Sequence, residues 1–66
     1  MLTQLKLERM QKNIKQWSLA SIAGISQAEL SNYELGHRRC PAGIRRKIAE
    51  ALELPVEKLF PNEEAL

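Results

Sequence analysis

Two side-chain amides and a run of arginines carry the recognisable chemistry in these 66 residues. Gln27 and Asn32 lie five positions apart in a stretch that begins Ser26-Gln27-Ala28-Glu29. A carboxamide offers one acceptor and one donor edge, the pair that matches N6 and N7 of adenine in a DNA major groove. Ala28, between them, has only a methyl group to offer, which suits the methyl of thymine. Downstream, His37-Arg38-Arg39 precedes Cys40, and Arg45-Arg46-Lys47 follows a few residues later. Residues 37–47 hold five basic groups and no acid, whereas residues 48–66 hold five glutamates against Lys58. That uneven distribution suits a polyanion-binding face better than the overall charge of +2 suggests. On charge alone, a solvated basic surface accounts for it equally well.

Other chemistries are poorly supplied. The chain has no aspartate, one histidine and one cysteine, His37 and Cys40, three positions apart. No nucleophile–base pair, glycine-rich phosphate loop or multi-ligand metal site can be assembled from that inventory. The expectation is a protein that is not an enzyme, with no metal, no cofactor and no small-molecule substrate. A single cysteine excludes an internal disulfide and suits a reducing compartment. Charges interrupt every apolar stretch, so no membrane span is expected, and Met1–Lys6 lacks the apolar region of a secretory signal. A cytoplasmic protein is the expectation.

The elements that must position these residues read as helices. Beta-branched alternation is absent, and apolar residues recur at three and four. A first helix carries Leu2, Leu5, the Arg9 stem and Lys12 along one stripe and ends near Asn13, a residue tolerant of positive φ. A second runs from about Gln16 to Ala23 with Leu19, Ile22 and Ala23 inward, and stops at Gly24; Ile25 is expected to be buried in the turn. Ser26 and Glu29 form a capping box that opens a third helix with Leu30 and Tyr33 inward, ending at Leu35-Gly36. Pro41 suits the first turn of a fourth helix, whose inner stripe is Ile44, Ile48, Ala51 and Leu52. Val56, Leu59 and Phe60 form a short fifth helix before Pro61. The fold class is therefore all-α: a compact bundle of five short helices in one domain, residues 1–61, followed by a short acidic tail, 62–66. A chain this small buries only about 60% of its unfolded surface, and one core supplies roughly 3–5 kcal/mol. Regular helix packing or a partner subunit must make up the rest.

Residues 16–35 have a more specific pattern: helix, glycine turn, capped helix, with Ala20 small where the two helices meet. The run Gln16-Trp17-Ser18-Leu19-Ala20-Ser21-Ile22-Ala23-Gly24-Ile25-Ser26-Gln27-Ala28-Glu29-Leu30-Ser31-Asn32-Tyr33-Glu34-Leu35-Gly36 resembles the lambda-repressor-like (Cro/XRE-type) helix-turn-helix DNA-binding domain. Lys47–Leu52 and Val56–Phe60 resemble its fourth and fifth helices, so the resemblance covers about residues 5–60. It implies a sequence-specific, double-stranded-DNA-binding regulator of prokaryotic or phage type, repressor-like, reading the major groove with the helix at about residues 26–35. It implies base contacts from Ser26, Gln27, Ala28 and Asn32, and phosphate contacts from Gln16, Ser31, His37, Arg38 and Arg39. Gln16 also matches a residue that steadies a base-reading side chain. Arg9 and Glu34 match a partly buried salt bridge that ties the first helix to the third. A lone module reads few base pairs, so a homodimer on two half-sites, associated with the nucleoid when bound, is expected. Leu35, Trp17 and the segment Phe60–Leu66 are its candidate interface pieces.

The sequence departs from the pattern at Trp17 and Lys15, where polar and hydroxyl residues are usual, and at Leu35, where asparagine is. A second class of function stays open: a protein-interaction module, such as an antitoxin or bridging factor, built on the same fold. Five positive charges across residues 37–47 serve no evident purpose in a pure interaction module.

Overall fold

The computed structural model describes residues 3–61, and the acidic tail assigned to 62–66 lies outside them. Five helices follow in chain order: α1 (Gln4–Gln11), α2 (Gln16–Ala23), α3 (Gln27–Glu34), α4 (Ala42–Leu52) and α5 (Val56–Leu59). The described residues contain no strand.

One stop signal is used four times. Asn13, Gly24, Gly36 and Glu53 each take positive φ, at 58°, 75°, 76° and 57°. The amide of the next residue then reaches back five positions: Ile14 to Arg9, Ile25 to Ala20, His37 to Asn32 and Leu54 to Ala49, at 2.9–3.2 Å. These bonds satisfy carbonyls that a helix end would leave bare. Three of the four following residues, Ile14, Ile25 and Leu54, are apolar and rest against the core, so each helix end also anchors the chain. Ile25 is half-buried, because a turn of three residues holds it at the rim of the core.

Glu53 is the one stop residue with no aptitude for the left-handed region, which costs an ordinary L-residue roughly 1–2 kcal/mol. It is exposed, and neither it nor its neighbours announce the conformation in sequence. Glu53→Gly is expected to stabilise the protein by about 1 kcal/mol, a rise of roughly 4–8 °C in melting temperature for a domain this size. Thermal unfolding followed by far-UV circular dichroism checks it, and an unchanged or lower midpoint contradicts it.

The core is Leu5, Leu19, Ala20, Ala23, Leu30, Tyr33, Cys40, Ile48, Ala49, Leu52, Leu59 and Phe60. Helix α2 sits at its centre, packed on α3 and α4, while α1 packs on α3 and α5. Three expectations change. Ile22, expected inward, is 59% exposed. Leu19, Ala20 and Ala23 form the inner face of α2, and at 100° per residue Ile22 falls about 100° from its middle. Phe60, expected at a subunit interface, is buried within the chain beside Leu59. Pro41 caps α4 from outside with extended backbone (φ −60°, ψ 149°) rather than entering its first turn.

Polar ties close the bundle. Thr3 caps α1 by accepting from the Lys6 amide and also donates its hydroxyl to the Glu34 carbonyl at 2.6 Å, joining the start of α1 to the end of α3. Glu8, a buried carboxylate on α1, accepts from Gln4 at 2.8 Å and faces Lys58 of α5 at 3.9 Å.

Candidate nucleic-acid interface

Helix α3 begins where local chemistry dictates. Ser26 stays extended, its hydroxyl accepts from the Glu29 amide at 3.1 Å, and the Glu29 carboxylate accepts from the Ser26 amide at 3.4 Å. The preceding helix stops only three residues earlier at Ala23, so α2 and α3 are held by the Gly24-Ile25-Ser26 turn. Helix α2 has no such cap, since the Lys15 side chain makes no capping bond.

Eight residues of α3 divide by angle. Leu30, Tyr33 and Glu34 are buried. Gln27 and Ala28 are exposed, and Ser31 and Asn32 half-exposed. At 100° per residue the four outer positions occupy an arc of about 140°. Gln27 and Asn32 thus stand at different ends of one outward ridge, with Ala28 and Ser31 on it. Ser26, just before the helix, is exposed with its hydroxyl engaged in the cap.

A row of side-chain bonds lies behind this ridge. Arg9 Nε donates to Glu34 Oε2 at 2.6 Å and its Nη2 to Oε1 at 3.3 Å, while Nη1 donates to the Ile14 carbonyl at 2.7 Å. The Glu34 side chain is 1% exposed and that of Arg9 11%. Glu34 Oε1 also accepts from Gln16 Nε2 at 3.0 Å, and Gln16 Oε1 accepts from Gln27 Nε2 at 3.1 Å. Residues far apart in sequence are therefore linked in one line from the buried ion pair to the exposed ridge. Gln16 is half-buried at the head of α2, with its amide committed on both sides. Burial raises the Tyr33 phenol above its ordinary pKa of 10.0, and the nearby Cys40 and Glu29 side chains add to the rise. The Tyr33 ring is part of the core.

His37, Arg38 and Arg39 are exposed in the loop that leaves α3 after Gly36. The second basic cluster separates in space. Arg45 Nη1 donates to the Cys40 carbonyl at 2.9 Å and so holds the loop against α4. Arg46 lines a groove of about 330 Å³ with Arg45, Ala42, Val56 and Glu57. Lys47 extends its ammonium to within 3.9 Å of where a Cβ on Gly24 would lie, beside the turn between α2 and α3. Lys47 thus lies next to the α2–α3 turn, whereas the Arg45 guanidinium is turned to the Cys40 carbonyl.

Sequence reasoning missed Thr3 and Glu8, neither of which has a local pattern to betray its long-range bond. Trp17, 63% exposed, is not part of the core, and Leu35 is 44% exposed. Among the described residues no group of histidine, cysteine or acidic side chains could hold a metal ion, and no helix is long and apolar enough to cross a membrane.

No curated protein matches the chain. A family model described as helix-turn-helix does match it, over residues 5–59, which takes in all five helices but the first residue of α1. With the three-residue glycine turn, the capped α3 and its outward ridge in place, the chain belongs to the Cro/C1-type, lambda-repressor-like helix-turn-helix family of DNA-binding domains.

Proposed function

We propose that this protein is a sequence-specific transcriptional regulator, repressor-like in action, that lays α3 in the major groove of double-stranded DNA. The observation that carries the reading is the α3 ridge: Gln27, Ala28, Ser31 and Asn32 face outward from a helix whose opposite side is locked into the core. In this reading Gln27 and Asn32 read adenine edges, Ala28 meets a thymine methyl, and Ser26 contacts a base at the near end of the helix. Gln16, Ser31, His37, Arg38 and Arg39 hold phosphates and set the register. Arg9 and Glu34 are scaffold. The protein acts as a homodimer on half-sites one helical turn apart, in the cytoplasm and on the nucleoid when bound. Exposed Trp17 and Leu35 are among the apolar groups available to the dimer contact.

Selection from a randomised duplex pool, followed by salt titration of the selected site, tests this. A palindromic consensus and a steep fall of affinity with salt are expected, because neutralised phosphates release counterions. Arg39→Ala should weaken all sites alike and reduce the logarithmic salt slope by about 1, whereas Gln27→Ala should cost roughly 1–3 kcal/mol of discrimination at one base pair. Absence of duplex binding at low salt sinks the proposal. In that event the exposed Trp17, Ile22 and Leu35 favour the protein-interaction module.

A further inference from the structure

We infer that Glu34, which never reaches the surface, sets which way round the Gln27 amide is presented, and so is a positioning residue for base selectivity. The inference rests on the DNA-binding reading for its consequence but not for its geometry. An ionised carboxylate only accepts hydrogen bonds. Glu34 is 1% exposed and held by Arg9 through two nitrogens, so its Oε1 is a fixed acceptor at the inner end of the row. A glutamine amide can be turned over with little change of shape, and its neighbours decide which end points where. Gln16 must direct its NH2 at Glu34, as it does at 3.0 Å, and this leaves its oxygen facing Gln27. Gln27 must then answer with its own NH2, as it does at 3.1 Å.

The consequence is one of polarity. One N–H of Gln27 is spent on Gln16, and what remains on the exposed side is its oxygen and its second N–H, in a fixed order. Adenine presents a donor at N6 and an acceptor at N7, also in a fixed order. An amide turned over presents the same two groups reversed, which no longer pairs with both. Gln27 and Glu34 lie about two turns apart on one side of α3, and Gln16 from α2 spans the interval. The α2–α3 packing that defines the motif is thereby also what transmits the carboxylate's demand for a donor to the surface.

Glu34→Gln tests this, because a glutamine there can accept from Arg9 with its oxygen while offering NH2 to Gln16, which reverses both outer amides. Two readouts are taken on the whole chain: the side-chain NH2 resonances of Gln16 and Gln27 in the free protein, and preference among the four single-base variants of the selected duplex at the Gln27 position. Both NH2 signals should move, and preference for adenine should fall about tenfold. Should Glu34→Gln fold poorly, Arg9→Met/Glu34→Leu removes the carboxylate without leaving a buried charge and should release both amides in the same readouts. Unmoved NH2 signals in a folded variant overturn the relay, and an unmoved base preference overturns its role in selectivity. If the unsubstituted chain binds no duplex at all, the proposed function falls, and the NH2 signals alone decide the relay.

Discussion

Arg9→Met is expected to leave most of the protein unfolded at room temperature. The substitution keeps an unbranched apolar stem of similar length, so packing around α1 changes little. It removes the cation facing Glu34, a carboxylate 1% exposed, and the donor to the Ile14 carbonyl. Breaking one side of a buried ion pair costs about 3–5 kcal/mol, because the remaining charge is left desolvated and unmatched. A single core in a chain of this size supplies a total of the same order. Gln16 Nε2 still donates to Glu34, which is too little to stand in for a guanidinium. Urea unfolding followed by far-UV circular dichroism should show little or no native baseline. The double variant Arg9→Met/Glu34→Leu should recover most of it, since replacing both charges by apolar groups of like volume is often neutral. An unfolding free energy for Arg9→Met within about 0.5 kcal/mol of the parent chain, on the scale of ordinary surface changes, would remove the pair from the scaffold.

What could be read in advance follows the range of the signals. The bounds of α2, Gln16–Ala23, are legible because a glycine stop and a capping box lie within a few residues of where they act. Asn13 is legible for the same reason. Ile22 is not. Helix α2 is short and apolar on most sides, so its periodicity does not select a face, and the contacts with α3 and α4 decide it. Glu53 adopts positive φ with no residue preference to announce it; the break after Leu52 is readable from Leu54-Pro55, the conformation that makes it is not.

The site divides in the same way. That Gln27 and Asn32 share an exposed ridge follows from spacing once α3 is placed. That Gln16 bonds both Glu34 and Gln27 depends on α2 lying across α3, and no pattern within either segment contains it. Resemblance to a family names Gln16 as a supporting residue, and the geometry supplies the reason: its two ends are claimed by two different partners. Arg45 shows the converse. It belongs to a basic run in sequence, yet its guanidinium holds the Cys40 carbonyl, so the run is not one surface.

Leu30→Ala should be the other severe loss, and it bears directly on the ridge. Leu30 is fully buried at the middle of α3, on its core side, about 60° around the helix from Gln27 and about 160° from Asn32. Truncation removes buried methylene and methyl groups and leaves a cavity that close-packed neighbours on α2 fill poorly, at a cost of about 2–5 kcal/mol. That again approaches the whole stability of the domain. Leu30→Met, nearly conserving volume, should cost less than about 1.5 kcal/mol. Ile22→Ala is the matched comparison: a similar loss of apolar atoms, but from a side chain 59% exposed, so a change within about 0.5 kcal/mol is expected. Circular dichroism is the suitable probe, because Trp17 is already 63% exposed and its emission changes little on unfolding. If Ile22→Ala proves as damaging as Leu30→Ala, α2 is rotated from the orientation described, and the bond between Gln16 and Gln27 goes with it. If the two differ by several kcal/mol, the inner face of the motif is where the packing puts it, and the outer face of α3 is fixed by subtraction.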